Sequence, residues 1–206
     1  AADLKGGVVG VSSFGSESDS TVALALKRLG LTRDDVTLKE YGGGAKRLAA
    51  VKSGEIKATA VNEPFSSMAR EQGFNVLFDL VPEQIPWLFT AIVVKRGTVA
   101  DRRDVVTRFI RATAEGNYLA FTDEKKAKAV LAKQAGIADP KILDISYNDF
   151  KQLSPRNIEP SEAAVKNILA QFPDASQMVE DYIDSGVLDG LRKDGVFTAL
   201  AQKYER

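Results

Sequence analysis

Apolar and polar positions change their rhythm along this chain, and the change falls near residue 88. Before it, short apolar runs alternate with amphipathic stretches. Val8–Ser12 reads as a buried strand, and Val22, Leu26 and Leu29 mark one face of a helix that starts near Ser18 and stops at Gly30. Val36–Tyr41 predicts a second strand, Gly42-Gly43-Gly44 a turn, and Leu48 with Val51 a short helix ending at Gly54. Ile56–Val61 predicts a third strand. Asn62-Glu63-Pro64 then leads into a short helix over Phe65–Gln72, closed by Gly73, and Phe74–Leu80 reads as a fourth strand. Strands separated by helices predict a mostly parallel sheet, here of about four or five strands, with helices on both faces.

After Pro82 and Pro86 one more strand is predicted over Phe89–Lys95, and from Val99 the pattern is helical. Val105, Phe109, Ala112, Thr113 and Gly116 fall on one helical face, with Phe121 a turn later. Further amphipathic segments lie near Glu124–Ala135, Pro140–Phe150, Ser161–Phe172 and Ser176–Ser185. A last one carries Phe197, Leu200, Ala201 and Tyr204. These helices have little sheet to cover. Either they form a helical domain, or part of their sheet lies outside this chain; the opening Ala1-Ala2-Asp3, directly before a strand, favours the second reading.

Composition narrows the chemistry. The 206 residues are 44% hydrophobic, enough for a sizeable core. Lys+Arg and Asp+Glu number 28 each, so the net charge is zero and nucleic acid is not an expected partner. No apolar run approaches the roughly 20 residues of a membrane helix. The chain has no Cys and no His. That removes Cys/His metal sites, thiol nucleophiles, the Ser-His-Asp triad and histidine acid–base chemistry together. No metal or cofactor is expected.

The stretch "GVVGVSSFGSESDS" carries the first candidate chemistry. The first turn of a helix leaves about four backbone N–H groups unpaired, and the macrodipole adds partial positive charge there. Small residues let an oxyanion approach those donors. Ser12, Ser13, Phe14, Gly15, Ser16 and Glu17 are therefore candidate ligand contacts, with Ser13, Gly15 and Ser16 as the oxyanion holders. The competing reading is a plain helix cap by Ser16, Ser18 or Asp19. Glu17 and Asp19 put two acids in the same turn; they point outward, or one meets the cation of a zwitterion. Gly43 and the pair Asn62–Glu63 follow the second and third strands on the same edge of the sheet. They are either ligand-facing or ordinary turn residues, and no Walker lysine follows the glycines.

Three longer stretches, "DLKGGVVGVSSFGSESD", "YGGGAKRLAAVKSGEIKATAVNEPF" and "GFNVLFDL", resemble the nitrate/sulfonate/taurine type of ABC-transporter substrate-binding proteins. The closing "LRKDGVFTALAQKY" is similar to the C-terminal helix of many type II periplasmic binding proteins, so the resemblance spans the chain. It implies a two-lobe α/β fold with ligand held between the lobes. Residues 1–88 would be one complete lobe with a mostly parallel sheet. Residues 89–206 would be a crossover strand and the helix-rich C-terminal part of the other lobe, whose N-terminal portion would lie outside this chain. Trp87, the only tryptophan, would then floor the cleft or pack between lobes.

The function so implied is solute capture for an importer. It carries a small organic anion or zwitterion as ligand, a membrane permease as partner, and a periplasmic or extracellular location. Apolar helix faces bearing Phe109 and Phe121 would be exposed, or covered by another chain in self-association. Two alternatives stay open. One is an enzyme of the thiamine-pyrimidine synthase type, although that chemistry, as the resemblance implies it, uses histidine and a cysteine-rich motif. The other is a ligand-sensing effector domain.

Overall fold

The computed structural model describes residues 1–205 and divides into two units, Ala1–Ile85 and the residues from Pro86 onward. The first unit is built on β1 (Val8–Val11), β2 (Thr37–Glu40) and β3 (Ala58–Thr59), all parallel in the order β2-β1-β3. Val8 pairs with Thr37 and Val11 with Glu40 on one side, and Val9 pairs with Ala58 on the other. Helices α1 (Glu17–Arg28), α2 (Gly44–Ser53) and α3 (Phe65–Glu71) follow the strands in turn. Parallel strands need such crossovers, and all three loops that leave the strands therefore emerge on one edge of the sheet.

Local chemistry explains α1. Ser16 caps it by accepting from the Asp19 amide at 3.4 Å, Glu17 and Asp19 sit at the positive end of the dipole, and Lys27 and Arg28 sit at the negative end. Val22 and Leu26, one turn apart, bury against Leu4, Val9, Val11 and Leu31 to form this unit's core. Gly10 is required in β1. A Cβ there would lie 2.6 Å from Ile56 Cδ1 and 3.3 Å from the Tyr41 ring.

The second unit is helical: α4 (Arg96–Asp101), α5 (Arg103–Thr122), α6 (Glu124–Ala135), α7 (Pro140–Leu153), α8 (Glu162–Leu169), α9 (Gly186–Lys193) and α10 (Val196–Tyr204). Helix α5 packs on α9 and α10, and α6 pairs with α7. The core joins Val106, Ala114 and Tyr118 of α5 to Leu188 and Leu191 of α9 and Phe197 and Leu200 of α10. A smaller cluster of Val165, Leu169 and Val179 gathers Leu88, Ala175 and Ile183 around it.

The structure departs from the sequence expectations at six places. The third strand is two residues long rather than the six of Ile56–Val61. Neither Phe74–Leu80 nor Phe89–Lys95 joins a ladder, so the described sheet has three strands. Both segments carry strand-forming residues, but β propensity expresses fitness for a paired surface and needs a neighbouring strand to act on. Val76, Phe89 and Val93 there are exposed, Val93 by 84%. The buried stripe of α5 is Val106–Ala114–Tyr118, with Ile110 packed against it, not the expected Val105–Phe109–Ala112–Thr113–Gly116 face. Two apolar stripes lie one residue apart on this helix, and the one ending in Tyr118 wins because its hydroxyl reaches Asn157 Oδ1 at 2.7 Å. Phe109 is exposed, as expected, but Phe121 is half-buried against Phe150 with ring centroids 4.7 Å apart. Finally, Ser176–Ser185 forms a single 3₁₀ turn at Val179–Asp181 instead of a helix.

Candidate functional site

The carboxyl edge of the first unit's sheet gathers the loop Ser12–Ser16 after β1, Gly43 at the start of α2, and Asn62–Glu63 beyond β3. In open α/β sheets this is the edge where ligands bind.

The loop after β1 is tied to the first turn of α1. The Ser12 N–H donates to Ser18 Oγ at 2.8 Å, and the Ser12 hydroxyl donates to Ser16 Oγ at 2.8 Å. Ser18 Oγ lies 2.9 Å from Ser12 Oγ and 3.1 Å from Ser16 Oγ, closing a triangle of three hydroxyls. Gly15, at φ +73°, a conformation that favours glycine, donates its N–H to Asp19 Oδ2 at 2.8 Å. Asp19 is buried, and its Oδ1 lies 2.8 Å from Arg33 Nη2 as a charge contact rather than an aligned hydrogen bond. The Phe14 N–H donates to Glu40 Oε1 at 2.6 Å, while its ring is exposed. Ser13 is exposed, and its carbonyl accepts the Ser16 N–H at 3.2 Å. Glu17 accepts from the Thr21 hydroxyl at 2.8 Å.

The candidate donors thus divide. The Gly15 amide and the Ser16 hydroxyl are engaged within the loop. The amides of Ser13, Glu17 and Ser18 have no hydrogen-bond partner among the described residues. Both first-turn acids that the sequence left unoriented have definite places: Asp19 turns inward onto Gly15, and Glu17 holds Thr21.

Gly43 is the exposed N-cap of α2. Gly44, next to it, meets the Phe65 ring so closely that a Cβ would lie 2.4 Å from Phe65 Cδ2. Asn62 is exposed, and its carbonyl accepts the Ser66 N–H at 3.1 Å. Glu63 accepts the Ser66 hydroxyl and, at 3.2 Å, the Ser67 N–H, with Arg70 Nη1 3.6 Å from its Oε1. Its carboxylate therefore caps α3. Trp87, half-buried, lies in the second unit.

One residue of this edge went unread in the sequence. Arg47, in the second turn of α2, is only 6% exposed. Its Nη1 donates to the carbonyl of Ala60, just past β3, at 2.7 Å, and its Nε is buried without a partner. Burial pushes the guanidinium pKa down, and the field of Glu17 opposes that shift. Nothing in "GGGAKRLAAVKSG" separates Arg47 from the neighbouring solvated Lys46. Among the described residues no cluster of acidic side chains could hold a metal ion, and no helix is long and apolar enough to cross a membrane.

Residues 1–127 match the family described as NMT1/THI5 like. The chain belongs to that family. A solved protein from Bordetella bronchiseptica RB50 shares the fold at a TM-score of 0.73 and 20% identity, over 100% of this chain and 67% of its own. The periplasmic aliphatic sulphonate binding protein SsuA of Escherichia coli superposes at a TM-score of 0.59 and 21% identity, over 84% of this chain. This chain spans only 55% of SsuA's length. No curated protein sequence matches it. Family and fold are those that the sequence motifs led us to expect: an α/β periplasmic-binding-protein architecture, present in part.

Proposed function

We propose that this NMT1/THI5-like chain is a solute-binding protein that captures a small organic anion or zwitterion and performs no chemistry on it. The observation that carries the reading is the convergence of three strand-end loops on one edge of a parallel sheet, with unpaired amides at the start of α1. The likeness to a sulphonate binding protein supports the ligand class. Ser12, Ser13, Phe14, Gly15, Ser16 and Glu17 form one wall, and Gly43, Asn62 and Glu63 form the rest. Within the first wall the free amides of Ser13, Glu17 and Ser18 are the receiving donors. The engaged Gly15 amide and Ser16 hydroxyl hold the loop in shape. Trp87 is the proposed aromatic reporter of binding.

The wider context follows the same reading. The protein works outside the cytoplasmic membrane and hands its ligand to the permease of an ABC importer. Sulfonate, nitrate and taurine are the ligands to try first. No thiol or imidazole is available for the enzymatic alternative, since the chain has no Cys and no His. Calorimetric titration with ethanesulfonate, taurine and nitrate tests the proposal. Binding of at least one is expected, and Ser13→Trp should abolish it with the fold intact, because Ser13 is exposed and its side chain makes no hydrogen bond among the described residues. Undiminished binding by Ser13→Trp would remove this wall from the site.

A further inference from the structure

Arg47 is an electrostatic anomaly within the first unit. A buried charge is ordinarily paired, because removing it from water costs several kcal/mol that only a close counter-ion and satisfied hydrogen bonds offset. Arg47 is more than nine-tenths buried, yet no carboxylate forms an ion pair with it among the described residues. Its one hydrogen bond runs from Nη1 to the neutral carbonyl of Ala60. Nε is buried and unpartnered, and Nη2 makes no hydrogen bond among the described residues. Glu17, the charged group whose field reaches Arg47, is the first residue of α1 and spends its Oε1 on Thr21.

The pattern of free donors is chemically specific. Nε–H and one Nη2–H of a guanidinium form a parallel pair that matches two oxygens of a carboxylate or sulfonate. In Arg47 that edge is the one without a hydrogen-bond partner among the described residues, its Nε buried, and the carbonyl of Ala60 holds Nη1. A guanidinium so anchored loses little further freedom on meeting an anion. It also lies at the carboxyl edge of the sheet, where the amides of Glu17 and Ser18 stand unpaired.

We propose that Arg47 is the buried counter-charge of the ligand site, with its Nε and Nη2 receiving a compact monoanionic oxyanion group such as a sulfonate. The inference rests on the solute-binding reading and deepens it by naming the residue that neutralises the ligand. A single guanidinium beside Glu17 suits one negative charge and disfavours two. Ethanesulfonate should therefore bind better than sulfate.

The test uses the whole chain, ethanesulfonate as the anionic probe, and ethanesulfonamide as its neutral analogue. Calorimetry compares the wild type with Arg47→Met and Arg47→Lys. Arg47→Met should weaken ethanesulfonate binding by roughly tenfold or more, the size of a lost charged hydrogen bond, and leave ethanesulfonamide unchanged. Arg47→Lys should fall between, keeping the charge but losing the paired donors. In the wild type, the ¹H–¹⁵N resonance of Arg47 Nε should shift and exchange more slowly with solvent as ethanesulfonate is added. This second measurement decides the matter if Arg47→Met proves too unstable to titrate. Wild-type binding with an unmoved Nε resonance, or equal affinity in Arg47→Met, overturns the role of Arg47 and leaves the solute-binding reading standing. Failure of the wild type to bind ethanesulfonate, taurine or nitrate overturns both.

Discussion

The two units answer their polar groups in different ways. In the second unit, side chains on neighbouring segments are knitted together. The Asn117 amide donates to the carbonyls of Pro155 and Arg156 at 3.0 and 2.8 Å, Arg192 pairs with Glu159, and Lys203 pairs with Glu115 at 2.6 Å. In the first unit several donors at one edge of the sheet have no partner among the described residues: the amides of Ser13, Glu17 and Ser18, and the Nε of Arg47; the second unit has one such buried atom, the Ser146 hydroxyl. Closed networks hold a shape. Buried or clustered donors without acceptors are a standing cost that a ligand relieves. On the solute-binding proposal, this contrast assigns recognition to the first unit and scaffolding to the second.

Five substitutions break or sharpen that contrast. The largest effect is expected at Phe197, buried in the second unit's core among Val106, Leu188 and Leu200. Phe197→Ala should cost about 3–5 kcal/mol by denaturant unfolding, the usual result of deleting a buried ring. A loss below about 1 kcal/mol would mean that this core is not packed as described. Next is Gly10→Ala in β1, where the added methyl meets Ile56 and Tyr41. Overpacking there should destabilise by about 1–3 kcal/mol.

A smaller effect separates two serines of the loop after β1. Ser16→Ala removes the cap of α1 and one corner of the hydroxyl triangle, and should cost about 1 kcal/mol. Ser13→Ala, at an exposed residue whose side chain makes no hydrogen bond among the described residues, should stay within about 0.5 kcal/mol. If the two melt alike, the network is not what shapes the loop. The smallest effect is a pH dependence in the second unit. Hydrogen bonds from Lys203 and Tyr204 hold the Glu115 carboxyl below its ordinary value. A depressed carboxylate contributes stability above its unfolded pKa, and that contribution fades as pH falls through its folded pKa. Glu115→Gln should therefore narrow the gap in melting temperature between neutral and acidic buffer, and an unchanged gap would show the pair to be solvent-screened.

Local patterns made most elements legible. Glu124–Ala135 matches α6 at both ends, because Asp123 caps its start and Gly136 its finish. The bend before α1 was readable as a cap, a ligand turn or both, since small residues serve either purpose. Its hydrogen bonds could not be read, because the pairing of Phe14 with Glu40 joins residues brought together only by β1 pairing with β2. The strand expectations at Phe74–Leu80 and Phe89–Lys95 missed for a related reason: a strand is a relation between segments, and composition reports only one of them. Arg47 was invisible because nothing in its neighbours marks it as buried; the tertiary placement of α2 decides that.

The most direct test of an anion-binding edge is a backbone amide titration of the whole chain with ethanesulfonate by ¹H–¹⁵N NMR. We predict saturable shifts concentrated at Ser13, Glu17 and Ser18, extending to Gly43 and Asn62, with the amides of α5, α9 and α10 unmoved. Saturable shifts confined to α5–α10, or none at the start of α1 at any concentration, would contradict the assignment of recognition to the first unit.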